Sequence, residues 1–211
     1  MIFGVFNFGG MRFMKYVNQL EYTHWLYTTR VDFEGEEKEK GRTTTVRSSG
    51  CGLCSAVMVA DRLIPDCGFE LSDALQLSYD TGANRRIGTN YKLFVPAFAD
   101  KCGLDFEMTN DPERLRYCLR TGGAAVVHAK CDREGYTGVF TKKGHYVVAI
   151  SEERDGRIAV LDPSYKEGKY EEEGRKGLVE VKNDVIAKCD MQVLVDDSLI
   201  ADPSFYLFWR K

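Results

Sequence analysis

Between Ser48 and Leu63 the chain reads "SSGCGLCSAVMVADRL", and apolar residues occupy nearly every face of the helix this spacing predicts. Leu53, Ala56, Val57, Ala60 and Leu63 recur at helical intervals, while Cys54, Met58 and Val59 fill the remaining faces. A helix that is apolar all round belongs in a core, so this one is expected to be buried. Three more helices follow from periodicity and end signals. "LSDALQLSYDTG" has Ser72 as a candidate N-cap and Gly82 beyond its end. "GTNYKLFVPAFADKCG" is interrupted by Pro96, and "NDPERLRYCLRTGG" offers Asp111 as cap, Pro112 at the first position and Gly122 and Gly123 as a stop. The pattern then changes. "AAVVHAK", "HYVVAIS", "IAVLD", "KGLVEVKND" and "SFYLFWRK" are β-branched or aromatic runs that read as strands, and "RDGR" is a two-residue hairpin signal. The order is therefore helices first and an antiparallel sheet after them, an α+β arrangement with the Cys51 helix packed on the sheet.

Two stretches lie outside this pattern. "DFEGEEKEKGRTTTVRSSG", from Asp32 to Gly50, and "YKEGKYEEEGRKG" are polar and charged, and both read as solvated loops. No internal repeat divides the chain, and 211 residues at 44% hydrophobic are enough for one domain, residues 1–211, with a substantial core.

Charge and composition narrow the function. A net charge of -3, with no dense run of Lys and Arg, makes nucleic acid a poor partner. The apolar start "MIFGVFNFGGMRFMKY" lacks a basic n-region and a cleavage site, so no signal peptide is expected, and no run is long enough for a transmembrane segment. Seven cysteines, an odd number in a chain too large to need disulfide staples, favour reduced thiols and a cytoplasmic setting, with secretion as the minority alternative. Oligomeric state is left open.

The chemistry concentrates at Cys51. A thiol at a helix start meets unpaired backbone N–H groups and the positive end of the dipole, which favour the nucleophilic thiolate. Gly50 and Gly52 flank it without side chains, leaving room for a substrate carbonyl and a tight turn. Cys54 lies about 4.5 Å further along the axis and is expected deeper in the core. Three other readings stand beside a nucleophile: two buried structural thiols, a metal clip, and a redox pair. The metal reading lacks a second C-x-x-C or an H-x-x-x-H, and the redox reading lacks a clear preceding strand.

A thiol nucleophile requires a base. Of the three histidines, His24 lies among aromatics and His128 inside a strand, whereas His145 opens "HYVVAI" directly after the turn "KKG" and would stand at a sheet end. Asp162 ends the next strand before Pro163. A turn centred between Asp155 and Gly156 brings the far ends of the two strands together. The register it sets places Asp162 opposite Ala149, reaching His145 after a shift of about four residues.

These segments resemble C39-like cysteine peptidases of the papain-like superfamily. "GCGLCSAVMVA" is similar to their G-C-G-P-T-S-x-x-M-v segment, "GHYVVAI" to G-H-[FY]-[VI]-V-V, "DGRIAVLDPS" to D-G-x-x-x-V-x-D-P, and "NQLEY" to the upstream Q-x-x-Y, in the same order from Gln19 to Ser164. The resemblance implies a papain-like fold with Cys51 as nucleophile, His145 as general base, Asp162 as orienting carboxylate and Gln19 as oxyanion donor. It implies a peptide or protein substrate, amide hydrolysis through a thioester, and no cofactor or metal. Leu53 stands where the family has proline and Cys54 where it has threonine, which changes the first helical turn. Acyl transfer on the same triad, and a catalytically silent binding module, remain as alternatives. The stretch from Asp32 to Gly50 and the loop "CDREGYTGVFTKKG" are the expected cleft walls.

Overall fold

The computed structural model describes residues 2–7, 10–28, 44–85, 87–130, 132–183 and 185–211. Most of the polar stretch expected as a loop and cleft wall, residues 32–43, lies outside the described residues. The chain opens with a hairpin, β1 (Ile2–Asn7) and β2 (Gly10–Lys15), formed by the apolar start. A 3-10 turn, Gln19–Glu21, leads to the short pair β3 (Leu26–Thr28) and β4 (Thr44–Thr45). The helix α1 (Val46–Ser49) then meets α2 (Cys51–Leu63) end to end at Gly50. As the all-round apolar pattern predicts, α2 is buried continuously from Cys51 to Ala60.

The helix α3 (Leu71–Asp80) is capped by Glu70, whose backbone N–H donates to Asp73, instead of by Ser72. A small pair, β5 (Asn84–Arg85) and β6 (Gly88–Thr89), precedes α4 (Tyr91–Cys102), which runs through Pro96 without a break. Proline forfeits the bond to the carbonyl of Lys92, but both residues lie on the solvent side of the helix, where the loss costs least. Next come β7 (Leu104–Thr109) and α5 (Pro112–Arg120), the latter capped by Asp111 Oδ1 on the Glu113 N–H at 2.9 Å. The expected strands are present as β8 (Ala124–Lys130), β9 (Gly144–Glu152), β10 (Ile158–Leu161) and β11 (Val179–Lys182). Three elements follow: β12 (Ile186–Cys189), α6 (Met191–Ser198) and β13 (Phe205–Arg210).

The main sheet has seven strands in the order β11-β12-β10-β9-β8-β13-β7, every pair antiparallel. Its side chains alternate between two cores. Val126, Tyr146, Val148 and Tyr206 pack with α2, α3 and α4, whereas Val127, Val147, Ala149 and Leu207 pack with α5 and α6. The fold is thus mixed α and β in three layers. The division into a helical first half and a sheet-forming second half is only approximate, because β7 joins the sheet from the first half and α6 covers it from the second. Among the described residues no helix is long and apolar enough to cross a membrane.

The hairpin that joins β9 to β10 differs from the two-residue turn expected. Glu153 N–H donates to Arg157 O at 2.8 Å and Gly156 N–H to Glu153 O at 2.9 Å, closing a three-residue loop with Gly156 at φ +82°. Asp155 Oδ1 accepts from the Arg157 N–H and holds the loop. Ile158 therefore pairs with Glu152, and the register slips between Ala159 and Val160, where β9 carries one extra residue. Beyond this bulge Leu161 pairs with Val148, so the next residue, Asp162, continues opposite Val147. That is the face shared by His145. Without the bulge Asp162 would follow Val148 onto the other face, since a one-residue slip inverts every side chain.

Candidate active site

The site forms where the start of α2 meets the start of β9. Tyr146 backbone N–H and Gly52 backbone N–H both donate to the Cys51 sulfur, and Ser55 Oγ donates to Tyr146 O at 3.3 Å, so the helix end is fastened to the strand. Cys51 retains 9% exposure and Cys54 none, the order expected from their positions along the helix. The flanking glycines have a different reason from the one expected. A Cβ on Gly50 would lie 2.5 Å from Val46 Cγ1, and one on Gly52 would lie 2.8 Å from Tyr91 Cε2, so packing excludes a side chain at both positions. Gly50 has φ -90° and needs no glycine-specific conformation.

Three of the four candidate residues form one connected chain. Cys51 and His145 face each other and shift each other's pKa, and His145 Nε2 lies 2.7 Å from Asp162 Oδ1. With Nε2 committed to the carboxylate, Nδ1 is the ring nitrogen left for the thiol. Burial pushes the Cys51 pKa up, but the His145 hydrogen bond and charge, with the two backbone donors, outweigh it and bring the thiol below its ordinary value. His145 moves the other way: burial opposes its cation, the Asp162 charge and hydrogen bond favour it, and the net direction is upward. For Cys54, burial and then the neighbouring Cys51 charge outweigh a backbone hydrogen bond, so its pKa lies well above normal and it stays a thiol.

Asp162 is fully buried and fully engaged. Oδ1 accepts from His145 Nε2, from Ser164 N at 2.8 Å and from Ser164 Oγ at 3.1 Å; Oδ2 accepts from Tyr170 Oη at 2.6 Å and from Lys169 Nζ. Burial alone would raise its pKa; the Lys169 ammonium and then His145 hold it far below the usual carboxylate range. Lys169 also donates to Ser164 Oγ at 2.8 Å, and Ser164 Oγ lies 3.0 Å from His145 Nε2. The stretch expected as a solvated loop thus buries Lys169, Tyr170 and Arg175. The sequence reading missed them because a charged composition does not reveal which lysine finds a buried carboxylate.

Gln19 is also buried and adjoins this group without touching the triad. Its backbone N–H donates to Pro163 O at 2.7 Å, and its Nε2 donates to Arg47 O at 2.7 Å, one turn before Cys51. One N–H of the side-chain amide is thereby used and the second is left over. The other two histidines stand apart from the triad. His24 is exposed; His128 stacks on Tyr146 at 4.5 Å, and burial pulls its pKa down to about 3, so it is neutral. Among the described residues no three His, Cys, Asp or Glu side chains converge as a metal site. No family model matches the chain, and no curated protein matches it in sequence.

Proposed function

We propose that this protein is a papain-like thiol hydrolase of the C39-like kind, which cleaves peptide or amide bonds through a Cys51–His145–Asp162 triad. The observation that carries the reading is the position of His145, bonded through Nε2 to a buried, ionised Asp162 and coupled electrostatically to the Cys51 thiol. The opposed pKa directions of Cys51 and His145 favour a thiolate–imidazolium pair near neutral pH. The thiolate attacks the carbonyl carbon, and the Cys51 N–H at the helix start, with the unused N–H of Gln19, receives the oxyanion. His145 then donates its proton to the departing amine and accepts one from the water that opens the thioester. Asp162 fixes the tautomer and remains ionised throughout.

The test is the pH dependence of alkylation by iodoacetamide, with the label located by fragmentation of the tryptic peptide Ser48 to Arg62. Rapid labelling at Cys51 well below pH 8, shifted upward in His145→Ala, is the expected result. An ordinary thiol profile in both proteins, or wild-type turnover of an acyl substrate by Cys51→Ala, would sink the proposal.

A further inference from the structure

A cleft of about 370 Å³ opens beside the triad, on the Nε2 side of His145. Its walls include Ser164 and Lys169, which bond to His145 and Asp162, together with Leu20 and Arg47, which adjoin Gln19. Its ionised lining is lopsided: Arg47, Lys142, Lys166, Lys169 and Arg175 face one carboxylate, Glu172. Glu172 is shared between Lys142 at 2.9 Å and Arg175 at 3.5 Å, and Asp162 behind the wall offsets Lys169. Arg47 and Lys166 have no carboxylate within ion-pair distance among the described residues, and both are exposed. The excess positive charge sits on a chain whose net charge is -3, so it is local to this cleft.

We infer that the substrate is an acidic peptide, with a Glu or Asp carboxylate seated in this cleft while a neighbouring part of the same peptide reaches Cys51. The inference rests on the thiol-hydrolase reading and names the substrate class of that same site. The volume suits one or two side chains and is small for an extended polyanion. Arg47 spends one N–H on Leu20 O, which leaves the rest of its planar fork for a carboxylate, while Lys166 and Lys142 add point charges to the same lining. Phe140 supplies an apolar floor for the stem of the side chain.

Three iodoacetyl dipeptide amides, Gly-Glu, Gly-Gln and Gly-Lys, test this by the rate at which the Cys51 thiolate displaces iodide at pH 7 and low ionic strength. The Glu probe should label about fivefold faster than the Gln probe and the Lys probe more slowly still, with the differences collapsing in 0.5 M salt, as expected for ~10 Å screening lengths shortened severalfold. The double variant Lys142→Gln/Lys166→Gln should lose most of the Glu preference, read as the ratio of the Glu-probe rate to the Gln-probe rate. Equal rates for Glu and Gln probes at Cys51, or an unchanged preference in the double variant, would overturn the acidic-peptide inference and leave the hydrolase reading intact. Failure of all three probes and of iodoacetamide to label Cys51 below pH 8 would overturn both.

Discussion

Lys169→Gln removes a buried cation while keeping a hydrogen-bond donor, and it isolates what the ammonium does to His145. Lys169 Nζ lies 2.8 Å from Ser164 Oγ, which lies 3.0 Å from His145 Nε2. The two nitrogens are therefore within about 6 Å, and at an effective dielectric near 20 two unit charges at that distance repel by roughly 3 kcal/mol, equivalent to about 2 pH units. The sign is fixed by charge: the ammonium disfavours the imidazolium, so its loss raises the pKa of His145 above an already raised value. Asp162, relieved of its strongest counter-charge, adds to the same direction. The chain has three histidines, so imidazole resonances can be assigned by single substitutions and followed by NMR titration. The titration midpoint of His145 should rise by about 1 to 2 units in Lys169→Gln and return toward wild type in Lys169→Arg. A midpoint that is unmoved or lowered in a folded Lys169→Gln protein would refute the electrostatic role assigned to this lysine.

Asp162→Asn leaves Lys169 buried without its anion, which should cost about 3 to 5 kcal/mol in urea unfolding and abolish His145-dependent labelling of Cys51; a loss below about 1 kcal/mol would contradict the burial argument. Because the folded pKa of Asp162 is depressed, the stability it contributes is complete above the ordinary carboxylate value near 4 and is lost as pH falls below it, so thermal midpoints measured from pH 5 down to pH 2 should fall less steeply in Asp162→Asn. Gly52→Ala forces a methyl group against Tyr91, whose ring is fully buried and stacked on Tyr146 at 4.4 Å; a destabilisation of about 1 to 3 kcal/mol is expected, and a neutral result would mean that the aromatic stack yields. Cys67 is exposed and lies near buried Cys102, whose thiol is pushed up to about 12 by burial and the Cys67 charge. Oxidised glutathione should therefore be attacked by Cys67 and displaced by Cys102, giving an internal disulfide and two reduced glutathiones; peptide mapping that finds only glutathione on Cys67 would refute the pairing.

The residues legible in the sequence are those at punctuation points. Cys51 follows a glycine that opens an all-apolar helix, His145 follows a turn and opens a strand, and Asp162 precedes a proline. Local pattern locates such positions because chain direction changes there whatever the tertiary context. The bulge between Ala159 and Val160 was not legible. Both residues are apolar and strand-like, and only cross-strand pairing reveals that one strand holds an extra residue. Lys169 and Tyr170 were hidden for a related reason. Their neighbours are charged and exposed, and their burial depends on Gly168, at φ +75°, turning the chain back toward a carboxylate seven residues earlier.

The saturation of Asp162 constrains how the triad works. Donors on both oxygens leave it little capacity to take a proton, and the adjacent ammonium adds an electrostatic penalty to protonation. In the proposed triad it would act by holding the imidazole at Nε2, which leaves Nδ1 for the thiol. The same residue also joins the two halves of the chain, because its backbone carbonyl accepts Tyr16 Oη at 2.6 Å and the next carbonyl, Pro163 O, accepts the Gln19 N–H. Orientation of His145, placement of Gln19 and closure of the N-terminal segment over the sheet thus share one anchor. A loosened Asp162 turn would displace His145 and Gln19 together, so variants at Tyr16 and Gln19 should be non-additive with variants at Asp162 in any rate that reads Cys51.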